Sequence, residues 1–258
     1  VFSIVLKLDV IFSIGAGVDQ LIQYSTIPAD VPIVRMIDTQ LTSGMVEYVF
    51  YHVLRIHRSM DSYIQQQHER NWTALPYKPS SEVCVGIMGI GELGSAVATH
   101  LNHLGYRVQG WSRGPKLLQG IHSFVGIDQL SSFLATTNIL VLLLPLTTAT
   151  RGIISLDRLM ELPEGAHVIN PGRGSLIVEN ELSLALKDGH IAGAALDVFS
   201  EEPLPLRHQF WGHEKVFITP HIASLTNPAT AASSIAQNIK RAQEGKAMIG
   251  LIDTNDYK

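Results

Sequence analysis

Val83-Cys-Val-Gly-Ile-Met88, followed at once by Gly89-Ile-Gly91-Glu-Leu-Gly94-Ser-Ala-Val-Ala98, decides how this chain reads. The first six residues form a short apolar run suited to a buried strand. Helical spacing continues from Ser95 to Leu104 and stops at Gly105, and Arg107 to Trp111 supplies a second strand. Strand, glycine turn, helix and second strand, in that order, are the setting a dinucleotide fingerprint requires. Gly89 permits the tight turn, Gly91 lets the backbone approach a pyrophosphate, and Gly94 lets helix and strand pack closely. The helix N-terminus offers unpaired N–H groups to the phosphates. A glycine pattern alone is a weak signal; the flanking strands and the helix between them give it force.

The end of the second strand bears on which dinucleotide fits. A site for NAD usually carries an acidic residue about twenty positions on, to hold the ribose 2′-hydroxyl. Here the strand ends Trp111-Ser112-Arg113, with Lys116 close behind. No carboxylate stands there to repel a 2′-phosphate, and two cations are placed to pair with one. NADP (as NADPH) is therefore expected in preference, and NAD is the alternative if Arg113 and Lys116 are only solvated loop charges.

The 258 residues suffice for one large or two modest domains. Charged residues make up 16% and apolar ones 46%, the balance of a globular chain rich in buried surface. A net charge of −4 without basic clusters argues against nucleic acid as a partner. The longest apolar run, Ile139 to Leu144, is far too short to span a bilayer and reads as a central parallel strand buried on both faces. Val1 to Phe12 is apolar but lacks the basic leader and cleavage site of a signal peptide. Cys84 is the only cysteine, so neither a disulfide framework nor a cysteine metal site is expected. The expected location is the cytoplasm, with no membrane partner and no metal.

Working outward, Val10 to Ile14 reads as a strand ending in Gly15-Ala16-Gly17-Val18-Asp19. The N–H groups of such a turn can cradle an anion; it can equally be an ordinary βα turn, and the residues leave both readings open. Pro32 to Met36 is another short strand. Thr42 or Ser43 is placed to cap a long helix beginning near Met45, with a wide apolar stripe of Val46, Val49, Phe50, Val53, Leu54 and Ile56. The helix turns polar through Gln65 to Gln67, and Trp72 to Pro79 reads as a proline-rich linker. Beyond the glycine loop, strands are expected at Phe124-Val125, Ile139 to Leu144, His167 to Asn170, Ala192 to Val198 and Val216 to Thr219. Helices are expected at Gln129 to Leu134, Leu156 to Glu161, Glu179 to Lys187 and Ala229 to Gln243. That alternation predicts an α/β fold with a doubly wound parallel sheet.

Three polar residues follow the carboxyl ends of successive strands, where ligands bind in open α/β sheets. Arg173 follows the Val168 strand, Glu202 lies just beyond the Ala194 strand, and His221 directly follows the Phe217 strand. Reduction of a keto acid by a nicotinamide needs such a set. A guanidinium can grip the carboxylate and polarise the carbonyl through its planar donor fork. An imidazolium can protonate the developing alkoxide, and a carboxylate beside it orients the ring and favours its charged form. Singly, each residue has a plain reading as turn or loop. Their shared position at one sheet edge, with a dinucleotide loop, is the argument.

The joint set of motifs resembles the D-isomer-specific 2-hydroxyacid dehydrogenases. The matching segments are Gly89-x-Gly91-x-x-Gly94, Asn170-Pro-Gly-Arg173-Gly174, Leu196-Asp197-Val198-Phe199-x-x-Glu202-Pro203, Thr219-Pro220-His221 and the Ile14 to Asp19 turn. In detail the Gly86-Ile-Met-Gly-Ile-Gly loop, Trp111-Ser112-Arg113 and Glu47-Tyr48 resemble its glyoxylate/hydroxypyruvate reductase A branch. The resemblance implies that Arg173 binds substrate, His221 is the acid/base and Glu202 its partner. It also implies that Gly15, Ala16 and Gly17 offer N–H groups to the substrate carboxylate, that Asp197 faces the nicotinamide carboxamide and that Pro145 lines its pocket. The family's substrate domain begins with a further strand and helix, so the chain is expected to be N-terminally incomplete. Leu206-Arg207-His208-Gln209 also lacks the proline usual before the aromatic pair Phe210-Trp211.

The reading that results is a Rossmann cofactor domain at 45–224, inserted in a smaller flavodoxin-like substrate domain formed by 1–44 and 225–258. The expected cofactor contacts are Gly89, Gly91, Glu92, Leu93, Gly94, Trp111, Ser112, Arg113, Lys116, Leu144, Pro145, Gly172 and Asp197. The expected substrate contacts are Gly15, Ala16, Gly17, Arg173 and His221. The expected reaction is NADPH-dependent reduction of glyoxylate or hydroxypyruvate by a homodimer. Its rivals are an NAD-dependent D-2-hydroxyacid dehydrogenase of another substrate, such as phosphoglycerate or D-lactate, and a non-catalytic dinucleotide sensor.

Overall fold

A computed structural model describes residues 8–254 except 25 and 29. The expectations for the first seven residues and for the last four of the C-terminal segment lie outside the described residues. In chain order the elements are β1 (Ile11–Phe12), α1 (Asp19–Ile22), β2 (Ile33–Val34), α2 (Thr39–His57), α3 (Met60–Glu69), β3 (Cys84–Met88), α4 (Glu92–His103), β4 (Arg107–Ser112) and β5 (His122–Val125). There follow α5 (Leu130–Leu134), β6 (Ile139–Leu142), α6 (Leu156–Met160), β7 (Ala166–Asn170), α7 (Glu179–Asp188), β8 (Ile191–Leu196), β9 (Val216–Ile218) and α8 (Pro228–Gln243).

The larger sheet has seven strands in the order β5-β4-β3-β6-β7-β8-β9, all parallel. The doubly wound sheet expected from the sequence is therefore present. β3 and β6 are buried at every position, as strands covered by helices on both faces must be. On one face α4 sets Val97, Ala98 and Leu101 against β3, together with Met45, Val49 and Val53 of α2. On the other, Leu130, Phe133, Leu134, Leu159, Leu182 and Leu186 of α5, α6 and α7 form the second core. The strand order reverses between β3 and β6, so the glycine loop after β3 stands at the topological switch point, where such sheets bind ligands.

β1 and β2 form a separate parallel pair, with Ile11 opposite Ile33 and Phe12 opposite Val34. The C-terminal segment returns to this pair: Val34 bridges Leu251 and the Ile252 N–H donates to Ile33 O. Ala231 and Ile235 of α8 pack with Met36 and Leu41, so α2 contributes to the small core at its start and to the large one further on.

The start of α2 corrects the sequence reading. The cap is Asp38, whose carboxylate accepts from Gln40 N–H and from the Thr230 hydroxyl, and the helix begins at Thr39 rather than near Met45. Thr42 and Ser43 lie inside it. The stripe is also narrower than expected: Val49 and Val53 are fully buried, whereas Leu54 is 43% exposed. The long helix, expected to run on and turn polar through Gln65 to Gln67, is broken at Ser59, whose φ is +53°, so α3 is a separate helix with none of its side chains buried. The β6 strand stops at Leu142, two residues early. Among the described residues no helix is long and apolar enough to cross a membrane, and no group of His, Cys, Asp and Glu is arranged to hold a metal ion.

Candidate active site

The glycine loop shows why each glycine stands where it does. Gly89 has φ +105°, and a Cβ there would lie 2.5 Å from the Leu143 carbonyl oxygen. A Cβ on Gly94 would lie 1.8 Å from Gly89 O. Internal packing thus requires both. Gly91 is different: a Cβ there would meet nothing within 4 Å, so its missing side chain leaves open room beside the backbone. Gly91 is also the N-cap of α4, and among the described residues no side-chain cap bond is made there. Open approach and unclaimed N–H groups at the positive end of a helix suit a pyrophosphate. Glu92 and Leu93 follow at this edge, exposed and half-buried respectively.

At the end of β4, Arg113 and Lys116 are both exposed, and the Ser112 hydroxyl donates to Gly114 O at 2.7 Å to close the turn. The Trp111 ring is buried and its Nε1–H donates to Gly126 O, so the side chain props the neighbouring loop. The Leu144 side chain likewise lies in the core, leaving Pro145 exposed beyond β6.

The loop after β7 is built by Asn170. This buried side chain donates to Arg173 O and accepts from Gly172 N–H, curling the backbone tightly. Arg173 then projects toward the Gly15 to Gly17 turn. Its Nε–H donates to Asp19 Oδ1 at 2.9 Å and its Nη1 to Gly172 O at 2.7 Å. A Cβ on Gly17 would lie 1.5 Å from Arg173 Nη2. Gly17 is therefore the residue that lets the guanidinium lie flat on the turn, with the Nη2 hydrogens left for a ligand. The turn is pinned by Ser13, whose hydroxyl donates toward Gly15 O and accepts from Gly15 N–H. The Gly15 amide, expected to serve a substrate, is consequently engaged; among the described residues those of Ala16 and Gly17 have no partner.

Glu202 and His221 meet. Glu202 Oε1 accepts from Phe199 N–H at 2.9 Å, and Oε2 lies 2.7 Å from His221 Nδ1. A carboxylate only accepts, so Nδ1 carries the hydrogen and Nε2 is the ring atom left to give or take a proton. His221 is about half exposed, and its φ of +55° is left-handed, which costs a non-glycine residue of order 1–3 kcal/mol. Such a cost persists only where neighbours impose it. Asp197 does so: its carboxylate accepts from the Thr219 hydroxyl, Ile222 N–H and Ala223 N–H, and its carbonyl accepts from His221 N–H. Asp197 is 1% exposed, and its carboxylate is held by these loop hydrogen bonds. Gly174 brings the Arg173 loop into the same group, since a Cβ there would lie 1.9 Å from the Phe199 carbonyl carbon.

The structure therefore places Arg173, Glu202 and His221 along one carboxyl edge with the glycine loop. Sequence reading missed Asp19 as the partner of Arg173, 154 positions away, and missed Ser13, Asn170 and Thr219 as supports. Asp19 was within a quoted motif, but nothing local marks a carboxylate as pairing across such a span.

A family model described as D-isomer specific 2-hydroxyacid dehydrogenase, NAD binding domain, matches residues 50–223. The chain is 41% identical over 252 residues to a glyoxylate/hydroxypyruvate reductase A of Yersinia enterocolitica, covering 96% of this chain and 80% of that one. Among solved structures it resembles a D-isomer specific 2-hydroxyacid dehydrogenase of Xanthobacter autotrophicus Py2 in complex with NADPH and MES, with 40% identity and a TM-score of 0.96 over 100% of this chain and 81% of that one. It equally resembles an NADPH-dependent glyoxylate/hydroxypyruvate reductase of Sinorhizobium meliloti in complex with NADP and sulfate, with 35% identity and a TM-score of 0.96 over 100% of this chain and 82% of that one.

Proposed function

Because the chain belongs to the D-isomer-specific 2-hydroxyacid dehydrogenase family, an oxidoreductase family, we propose that it reduces a small 2-keto acid, glyoxylate or hydroxypyruvate, with NADPH and with His221 as proton donor. The His221–Glu202 pair at the same sheet edge as Arg173 carries the reading. When bound, the reduced nicotinamide supplies the hydrogen and electron pair that reach the keto carbon. The substrate carboxylate lies against Arg173 Nη2 and the Ala16 and Gly17 amides. Asp19 holds Nε, which fixes the plane of the guanidinium and keeps its other edge aimed at the substrate. His221 gives its Nε2 proton to the carbonyl oxygen as negative charge grows there, while Glu202 balances the imidazolium through Nδ1. The small substrate class follows the relatives named for glyoxylate and hydroxypyruvate. Loss of NADPH absorbance on adding glyoxylate, hydroxypyruvate or pyruvate tests the reading; consumption with none of them would reject it.

The cofactor preference rests on Ser112, Arg113 and Lys116 and on the absence of a carboxylate among them. Arg113→Ala raises KM for NADPH by roughly ten- to a hundredfold, the value of one charge-assisted contact, and leaves KM for NADH nearly unchanged. Equal effects on both cofactors would show that Arg113 does not read the 2′-phosphate.

The same reading assigns 45–224 to the cofactor domain and the chain's two ends to the substrate domain, supported by the packing of α8 on Met36 and Leu41. It also includes a homodimer, with the second copy seated on the aromatic surface of α2, α3 and the segment after them. Tyr51, Ile64, Trp72 and Tyr77 are exposed there, Trp72 completely. Large apolar side chains left in solvent favour a contact with a second copy. Sedimentation at micromolar concentration gives a species of twice the 28.3 kDa chain mass; a monomer alone would refute the dimer.

A further inference from the structure

We propose that a half-buried hydrogen-bond chain, Tyr48 to Thr219 to Asp197, holds the His221 loop in its left-handed conformation, making Tyr48 and Thr219 positioning residues for the proton donor. The proposal rests on the reading of His221 as that donor. It concerns residues that no motif in the sequence assigns to chemistry.

The chain starts outside the carboxyl-edge loops. Tyr48 sits on α2, and its hydroxyl lies 2.8 Å from Thr219 Oγ1, a residue 171 positions away. Thr219 Oγ1 in turn lies 2.6 Å from Asp197 Oδ1. The direction of both bonds follows from valence. An ionised carboxylate only accepts, so the single Thr219 hydrogen goes to Asp197, and Tyr48 must donate to Thr219. Burial pushes the Tyr48 phenol well above its ordinary range, so it remains a donor across the working pH range. Thr219 is thus held at both ends, by a donor behind it and an acceptor ahead.

Asp197 passes that constraint to the catalytic loop. Its Oδ1 also takes Ile222 N–H at 2.8 Å, its Oδ2 takes Ala223 N–H at 2.8 Å, and its carbonyl takes His221 N–H at 2.8 Å. Three successive amides are thereby fixed on one residue, with His221 the first of them and strained at φ +55°. If the Thr219 hydroxyl is lost, Oδ1 is free to turn away from Ile222, and the loop can relax toward ordinary φ. The imidazole then swings off the line set by Glu202. A misplacement of about 1 Å at a reacting group can cost on the order of a hundredfold in rate.

The test uses the whole chain and reads kcat for keto-acid reduction, the dissociation constant of NADPH and the melting temperature. Thr219→Val lowers kcat by roughly ten- to a hundredfold, Tyr48→Phe by roughly three- to tenfold, and neither weakens NADPH binding by more than about twofold. Thr219→Ser restores the hydroxyl and recovers kcat to within about threefold of wild type. Because the two hydroxyls act in series, the double variant is no slower than Thr219→Val alone, within about twofold. Tyr48→Phe keeps the ring that packs at 4.5 Å on His52, so its fold is secure if Thr219→Val proves unstable. Single variants that melt lower but keep wild-type kcat, or effects that multiply in the double variant, would overturn the proposal. A wild-type chain that binds NADPH but turns over no keto acid would instead refute the functional reading on which it rests.

Discussion

His221→Ala lowers kcat for keto-acid reduction by roughly two to four orders of magnitude while NADPH affinity changes by less than about threefold. The asymmetry follows from where the imidazole acts. Its Nδ1 is committed to Glu202 at 2.7 Å, and Nε2 is the atom that meets the carbonyl oxygen. Proton transfer contributes only as negative charge appears on that oxygen, so its loss is felt in the chemical step and not in binding. Alanine also accepts the left-handed backbone poorly, so the loop's fold is checked by the retained NADPH affinity. Glu202→Gln keeps the shape of the pair but removes the balancing charge, and lowers kcat less, by about tenfold. If His221→Ala instead loses NADPH affinity and kcat in proportion, His221 is a binding residue and the assigned role is wrong.

Arg173→Ala produces the second large effect, a fall in kcat/KM of roughly two to four orders of magnitude that appears mainly as a raised KM for the keto acid. Each charge-assisted contact to a carboxylate is worth about 1.5–3 kcal/mol, and the fork offers two. Truncation also strands Asp19, which is only 7% exposed and has Arg173 as its ionic partner. Arg173→Lys recovers little, since one ammonium cannot bond Asp19 and present a planar edge to the substrate together. A lysine variant with near wild-type kcat/KM would mean that charge alone suffices and that the packing on Gly17 is incidental. Keto-acid kinetics at saturating NADPH separate the two outcomes.

The large sheet was legible because its signals are local. The glycine spacing of 89, 91 and 94 lies between two strands, and each β–α alternation shows in a short apolar run followed by helical spacing. Arg173, Glu202 and His221 were legible as types at strand ends, since parallel topology sends every carboxyl end to one edge. What escaped depends on long-range contact. Asp38 caps α2 in a stretch of Thr, Ser and Gly that has little helix propensity of its own, and the helix holds there because Leu41 packs with Ala231 of α8. The break between α2 and α3 falls at Ser59, with φ +53°, where neither glycine nor proline announces it. The supporting roles of Trp111 and Asp197 also escaped, since the first packs in the core and the second takes three loop hydrogen bonds. Whether a polar side chain faces outward or supports a loop is decided by partners that sequence spacing does not reveal.

The most direct test is consumption of NADPH by the whole chain in the presence of glyoxylate or hydroxypyruvate, run beside NADH and beside His221→Ala. Turnover of both acids, slower with NADH and nearly abolished in the variant, is the result expected of a keto-acid reductase that donates its proton from His221. Tight binding of NADPH with no consumption in the presence of either acid would contradict it and leave the chain a dinucleotide-binding protein without this chemistry.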